Sequence, residues 1–339
     1  MHSYWSMLGP GRDGPSIAAE LDRLEALGVR GVVAPQVYAP PFVALAAAAV
    51  ANPRLELGSG IAIALTRSPF ETACAALELD RISEGRFTLG LGVGPRHWVN
   101  YFGSDYDRPV ARVREVMEIV RHVESDARQG VMTPFDGEFW QLEYESYEPF
   151  APPLRERLPI YVAALRERVC ELVGELGDGL IGHPVWSVEY ALGTAQDALA
   201  RGAARASRDP AAIDFQPYVT ASIDTDEQRA LDLAKPFIAF YAGFAQYHSY
   251  FDAHGFGAEA ERLAQAAQTQ RCREAATLVP DDMARTFAAC GTPDQVRAWI
   301  EPLWERATSM VIMPPSWGLT PAEAGEKQAA IEQFVLAER

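Results

Sequence analysis

The stretch that decides the fold is "LELGSGIAIALTRSP", residues 55–69. It alternates as a strand does, and Ser68 followed by Pro69 reads as the N-cap and first position of a helix. Gly58, Ser59 and Gly60 interrupt the alternation where the apolar run should be strongest. Glycine weakens a strand interior, so it marks a sharp bend or the close approach of another group. The strand resumes at once with Ile61, Ala62 and Ile63, which argues against a simple turn.

The same strand-then-helix unit repeats on both sides. "SIAAELDRLEALG" (16–28) carries Ile17, Leu21, Leu24 and Leu27 at helical spacing and stops on a glycine. "PFVALAAAAVA" (41–51) is a helix opened by Pro41, and the helix after Ser68 stops at Gly85. Strands are expected at 2–7, 29–35, 55–65, 86–95, 159–165, 178–184, 215–223 and 309–315, with one helix over 188–206. Eight strands separated by helices imply parallel pairing and closure into a (β/α)8 TIM barrel, read as one domain over 1–339. An open doubly wound sheet is the alternative, but no GxGxxG opens a helix after the first strand. Two segments break the repeat, near 126–158 and 236–281. The first contains "FDGEFWQLE" (135–143), a β-hairpin with Asp-Gly at its turn, and both are expected to serve as lids or oligomer contacts.

Composition narrows the function. Hydrophobic residues make up 48% of the 339, enough for a large core, and the formal net charge is −16. So acidic a chain repels a phosphate backbone, which excludes nucleic acid as a partner. The longest apolar block, residues 40–53, is too short and alanine-rich to span a membrane. The first residues lack a basic-then-apolar leader pattern, so a cytoplasmic protein is expected. Cys74, Cys170, Cys272 and Cys290 are far apart, and all are read as reduced thiols in helices or at helix ends.

In such a barrel the active site lies at the C-terminal ends of the strands. The residues expected there include Met7, Gln36, Tyr38, Ser59 to Ile63, Gly92 to His97, Ala164 to Arg166, and Gly182 to Trp186. That set has two histidines, His97 and His183, two arginines, Arg96 and Arg166, and almost no carboxylates. No carboxylate pair, metal-ligand spacing or GxSxG nucleophile motif is present. A site rich in glycine and poor in acid–base groups suits a cofactor that carries the chemistry itself. Arg166, between a strand and a helix, is a candidate phosphate partner. No metal is expected.

Read together, "LGSGIAIALTRSPF", "LDRISEGRFTLGLGVGP", "RPVARVREVMEIVRHV", "FDGEFW", "GELGDGLIGHP" and "CGTPDQVRAWI" give the chain a resemblance to a known superfamily. It resembles the luciferase-like monooxygenases, and within them the coenzyme F420-dependent oxidoreductases, over nearly its whole length. The resemblance implies F420, or alternatively FMN, at the C-terminal mouth, its ring against a bulge in the third strand. It also implies a non-prolyl cis peptide, which falls at Gly60–Ile61. Cofactor-binding positions are then Ser59, Gly60, Ile61, Gly92, Gly94, Ala164, Leu165, Arg166 and His183. Relatives carry Gly-x-Gly where this chain has Ala164, Leu165 and Arg166. They also place a Glu and a His-Asp-Pro-Phe run where this chain reads "PQVYAPPF". Gln36 therefore stands where an acid is common, and Gln36, Tyr38 and His97 are the catalytic candidates, with Glu138 behind them. Met7, Trp98, Trp186 and Tyr241, with Phe240, Phe244 and Tyr247, would line an apolar substrate pocket. The implied reaction is hydride transfer between deazaflavin C5 and an apolar organic substrate, by reduction of a C=C or C=N bond or oxidation of an alcohol. An FMN-dependent monooxygenase, or a barrel that has lost its cofactor, are the alternatives. A homodimer is expected from the family.

Overall fold

The computed structural model describes residues 2–144 and 151–338. Twelve strands occur in it: β1 (Tyr4–Met7), β2 (Gly31–Ala34), β3 (Glu56–Ser59), β4 (Ala62–Ile63), β5 (Phe87–Gly92), β6 (Phe135–Asp136), β7 (Gln141–Leu142), β8 (Ile160–Ala164), β9 (Gly179–Gly182), β10 (Asp214–Ile223), β11 (Ala289–Gly291) and β12 (Met310–Met313). The fold is a (β/α)8 TIM barrel with insertions. The chain divides into two compact units. Residues 5–181 and 197–214 form the N-terminal unit; residues 1–4, 182–196 and 215–339 form the C-terminal unit.

In the N-terminal unit the register is parallel throughout, with Trp5 opposite Gly31, Val32 opposite Leu57, Leu57 opposite Phe87, and Leu89 opposite Ile160. Val32, Leu57, Phe87, Leu89, Leu91, Ile160 and Val162 are fully buried, as strands covered on both faces require. Helix Pro69–Ile82 starts as its sequence directs, with Ser68 Oγ accepting from the Glu71 amide and Pro69 in the first turn. Past its end Gly85 takes φ +82°, a conformation that favours glycine. At the opposite end of the strands the buried Asp80 carboxylate is held by Arg155, which also donates to Phe87 O.

In the C-terminal unit β10 is flanked by β12 (Tyr218 opposite Val311) and β11 (Ala221 opposite Ala289). Helices Glu227–Ala242, Ala245–Ala253, Gly257–Ala266 and Asp281–Phe287 follow β10 and fill the second insertion. Phe237, Phe251, Leu263, Met283 and Phe287 form its core.

Four local expectations are corrected. The third strand is interrupted, β3 ending at Ser59 and β4 beginning at Ala62. The helix expected over 188–206 is two, Val188–Leu192 and Thr194–Arg205, because Gly193 leaves the helical conformation at φ −98°, ψ −97°. Cys290 lies in β11, where it pairs opposite Ser222, so it is not in a helical context; all four cysteines are free. The hairpin 135–142 forms, but Asp136 is its last strand residue and the turn runs from Gly137 to Trp140. Glu115, buried in helix Pro109–Gln129, supplies the reason, its carboxylate accepting from the amides of Glu138, Phe139 and Trp140. Residues 145–150 of the first insertion lie outside the described residues. No described helix is long and apolar enough to cross a membrane.

Candidate active site

In the N-terminal unit the candidate residues gather around the break in the third strand. Gly60–Ile61 is a cis peptide, at the position the sequence resemblance implies. Ser59 is buried, its hydroxyl donating to Gly90 O and accepting from Gly90 N, both at 2.9 Å, so the bulge is tied to β5. A Cβ on Gly90 would run into Ser59 O, and one on Gly92 into the Ile61 side chain. These glycines therefore let the bulge seat on β5. Ile61 joins Val93, Trp98 and Tyr106 as partly buried apolar groups packed on Ile63, Leu65 and Val99.

Gln36, just past β2, is buried. Its backbone amide donates to Ile61 O at 3.0 Å. Its Oε1 accepts from Ile63 N and from Arg67 Nη2, both at 2.9 Å, while Nε2 donates to Thr66 Oγ1 at 2.8 Å. Tyr38, two residues on, is 83% exposed. His97 lies on the short helix Arg96–Tyr101, its ring 5.8 Å from those of Trp98 and Tyr101. Burial lowers its pKa, which keeps the imidazole neutral near pH 7. Glu138 is drawn to the surface by Arg108.

Ala164 closes β8 in a fully buried position, and Arg166 is the N-cap residue of helix Glu167–Leu176. Tyr106 connects this end to Arg96, whose guanidinium lies 4.6 Å from its ring. Burial pushes the Tyr106 hydroxyl up, and the charges of Arg96 and Arg166 pull it back, so both guanidinium groups act on this spot. Met7 is the last residue of β1.

In the C-terminal unit His183 follows β9. Its Nδ1 accepts from Val185 N at 3.3 Å, which leaves Nε2 to donate to the Tyr247 hydroxyl at 3.3 Å. Its ring also lies 5.1 Å from that of Tyr241. Burial lowers the His183 pKa to about 3 and pushes Tyr241 up to about 12. Phe240 stacks on Trp317 at 4.2 Å and meets Phe244 edge-on. Trp186 and Tyr247 are buried.

Thr66, Arg67 and Tyr106 were not among the residues the sequence singled out. Arg67 carried no signal, since an arginine just before a helix N-cap reads as a surface residue. Here its side chain is 10% exposed, over the Phe42 ring at 5.3 Å, and its Nη1 is buried without a hydrogen-bond partner. Among the described residues no group of three or more His, Cys, Asp or Glu is placed to hold a metal.

Known proteins share this architecture. The sequence model of the family described as luciferase-like monooxygenase matches residues 5–309. A Mycobacterium tuberculosis protein provisionally named a coenzyme F420-dependent oxidoreductase is 31% identical over 278 residues, 76% of this chain and 79% of its own. The 5,10-methylenetetrahydromethanopterin reductase of Archaeoglobus fulgidus is 27% identical over 263 residues, 76% of each chain. Among solved structures, the coenzyme F420-dependent tetrahydromethanopterin reductase of Methanopyrus kandleri aligns over 99% of both chains, with a TM-score of 0.81 at 24% identity.

Proposed function

The chain belongs to the luciferase-like monooxygenase family, and from that premise we propose that it is a coenzyme F420-dependent oxidoreductase acting on a small apolar molecule. The observation that carries the reading is the interrupted third strand, held on one side by Ser59 and on the other by Gln36. Beside it Ile61, Val93, Trp98 and Tyr106 form a partly buried apolar group, chemistry that suits a flat heteroaromatic ring. A protein of net charge −16 must bind an anionic cofactor tail with local cations, and Arg96 and Arg166 supply two beside Tyr106.

In this reading Ser59, Gly60 and Ile61 would support the ring, Gly92 and Gly94 would shape the floor beside it, and Arg166 with Arg96 would face the tail. Bound there, the deazaflavin would supply or accept a hydride at C5. The reactions that fit are reduction of an activated C=C or C=N bond, or oxidation of an alcohol. Gln36 has no proton to give at neutral pH, and Tyr38 points its side chain to solvent, so His97 is the better proton-transfer candidate of the three. The neighbouring Trp98 would contribute to an apolar substrate wall.

Binding tests the reading directly. Purified protein is titrated with oxidised and reduced F420 and, separately, with FMN, following tryptophan fluorescence. Saturable quenching by F420 with a micromolar or lower Kd is expected. Micromolar FMN binding without an F420 response would replace the proposal with an FMN-dependent monooxygenase. Saturation by neither would leave a family member that has lost its cofactor.

A further inference from the structure

Gln36 places a neutral amide at the end of β2, and its hydrogen bonds give a reason for the amide. Four hydrogen bonds join Gln36 to the segment that follows the strand break. They run from its own N–H to Ile61 O, from Nε2 to Thr66 Oγ1, and from Ile63 N and Arg67 Nη2 to Oε1. The amide orientation is fixed by its partners, because Oε1 faces two donors. Thr66 completes a ring, its hydroxyl donating to Ile63 O at 2.9 Å. With that proton committed, Thr66 Oγ1 can only accept, and the group opposite must donate. An amide does so, and a carboxylate does not.

We infer that Gln36 is a positioning residue: a neutral clamp that fixes the Ile61–Arg67 segment, and through it the surface offered to the cofactor ring. It does not act as the proton donor of the reaction. The inference rests on the proposed cofactor reading for its use, but the clamp itself is a property of the protein alone. Three features separate it from ordinary core packing. The side chain spends every strong donor–acceptor direction it uses on one seven-residue segment. The contacts bridge two strand ends some 25–31 residues apart in sequence. Arg67, whose side chain is nine-tenths buried, has Gln36 Oε1 as its acceptor within hydrogen-bond distance among the described residues, Glu71 lying 3.9 Å away and mostly exposed.

Two variants and two readouts test it. Gln36→Met keeps the length of the side chain and removes its three hydrogen bonds. Gln36→Glu keeps acceptors for Ile63 N and Arg67 and obliges the Thr66 hydroxyl to turn away from Ile63 O. Hydrogen–deuterium exchange of the peptide covering residues 60–68, without cofactor, reads the clamp. F420 affinity and the split between kcat and KM read its use. Gln36→Met is expected to speed exchange at Ile63 and to weaken F420 binding about tenfold or more, the scale of a lost buried hydrogen-bond set. Gln36→Glu is expected to restore protection at Ile63 and most of the affinity. The pH–rate profile should keep the same limbs in wild type and in Gln36→Glu, since the residue passes no proton.

Unchanged exchange at residues 60–68 in Gln36→Met overturns the clamp. A new acidic limb with higher kcat in Gln36→Glu overturns the positioning role in favour of proton transfer. Wild-type protein that binds neither F420 nor FMN, with exchange responding as expected, overturns the cofactor reading and the use assigned to the clamp. If Gln36→Met does not fold, Thr66→Val, which removes one arm of the ring, carries the same exchange test with a smaller expected change.

Discussion

Two strand ends, one in each unit, bury a cation and answer it differently. Past β2, the Arg67 guanidinium is met by the neutral amide of Gln36. Past β10, Lys327, 1% exposed, donates to Ile223 O at 2.9 Å and to the carboxylate of Asp224, which Arg229 also engages. The second arrangement cancels charge within the protein and fastens helix Pro321–Ala337 to β10. The first leaves the cation with only a solvated acid among the described residues, Glu71 at 3.9 Å, and one of its nitrogens without a hydrogen-bond partner. A pair that neutralises itself contributes chiefly to holding its elements in register. A cation held by an amide keeps its charge available to whatever approaches the strand end.

The difference is broken most severely by making the second end resemble the first. Asp224→Asn leaves Lys327 dehydrated beside a neutral group, and removing one partner of a buried pair costs about 3–5 kcal/mol. Urea unfolding should therefore show a large fall in midpoint with an unchanged slope. A loss below about 1 kcal/mol would mean that Lys327 finds another partner or water, and the contrast between the ends would collapse.

Acid titration sharpens it. Burial alone would raise the Asp224 pKa, but the hydrogen bond from Lys327, the Asp226 amide and Arg229 outweigh it and hold the carboxyl at about 2. The folded value lies below the unfolded one, near 3.9. The stabilisation is thus complete above the unfolded pKa and is lost as pH falls from about 4 through about 2. Urea midpoints measured at pH 5 and at pH 2.5 should differ more for wild type than for Asp224→Asn. Equal acid sensitivity would remove Asp224 as the cause. The Gln36 end has no such dependence, because an amide does not titrate.

These two ends also mark what sequence could and could not give. The repeat of strands and helices, the Ser68 cap and the Gly85 stop are written in contiguous residues, so they were legible. The place of the bulge and its cis Gly60–Ile61 peptide were legible from "GSG" and the family resemblance together, but the split of the strand into two there was not. The partners were not. Arg67 and Gln36 are 31 residues apart, and Lys327 and Asp224 are 103 apart, so only the fold brings them together. Glu115 illustrates the same limit: amid the charges of "RVREVMEIV" it reads as a solvated helix position, yet it is buried and holds the 137–140 turn. Cys290 was misread because the short β11 precedes a strong helix signal at Thr292 and Pro293.

The smallest effect is expected from taking away the cation at the neutral end. Arg67→Met strands no carboxylate among the described residues, since Glu71, the acid 3.9 Å from it, is mostly exposed and can return to water. Gln36 Oε1 keeps the Ile63 amide, so the clamp loses one of its donors and retains the ring through Thr66. Methionine can lie on the Phe42 ring much as the guanidinium does. The change in stability should stay within about 1 kcal/mol, as replacing a poorly compensated buried charge by an apolar side chain often does. Urea unfolding of Arg67→Met beside Asp224→Asn makes the comparison on one scale. If both variants lost several kcal/mol, Arg67 would be a structural ion like Lys327, and the β2 end would hold no charge in reserve for a ligand.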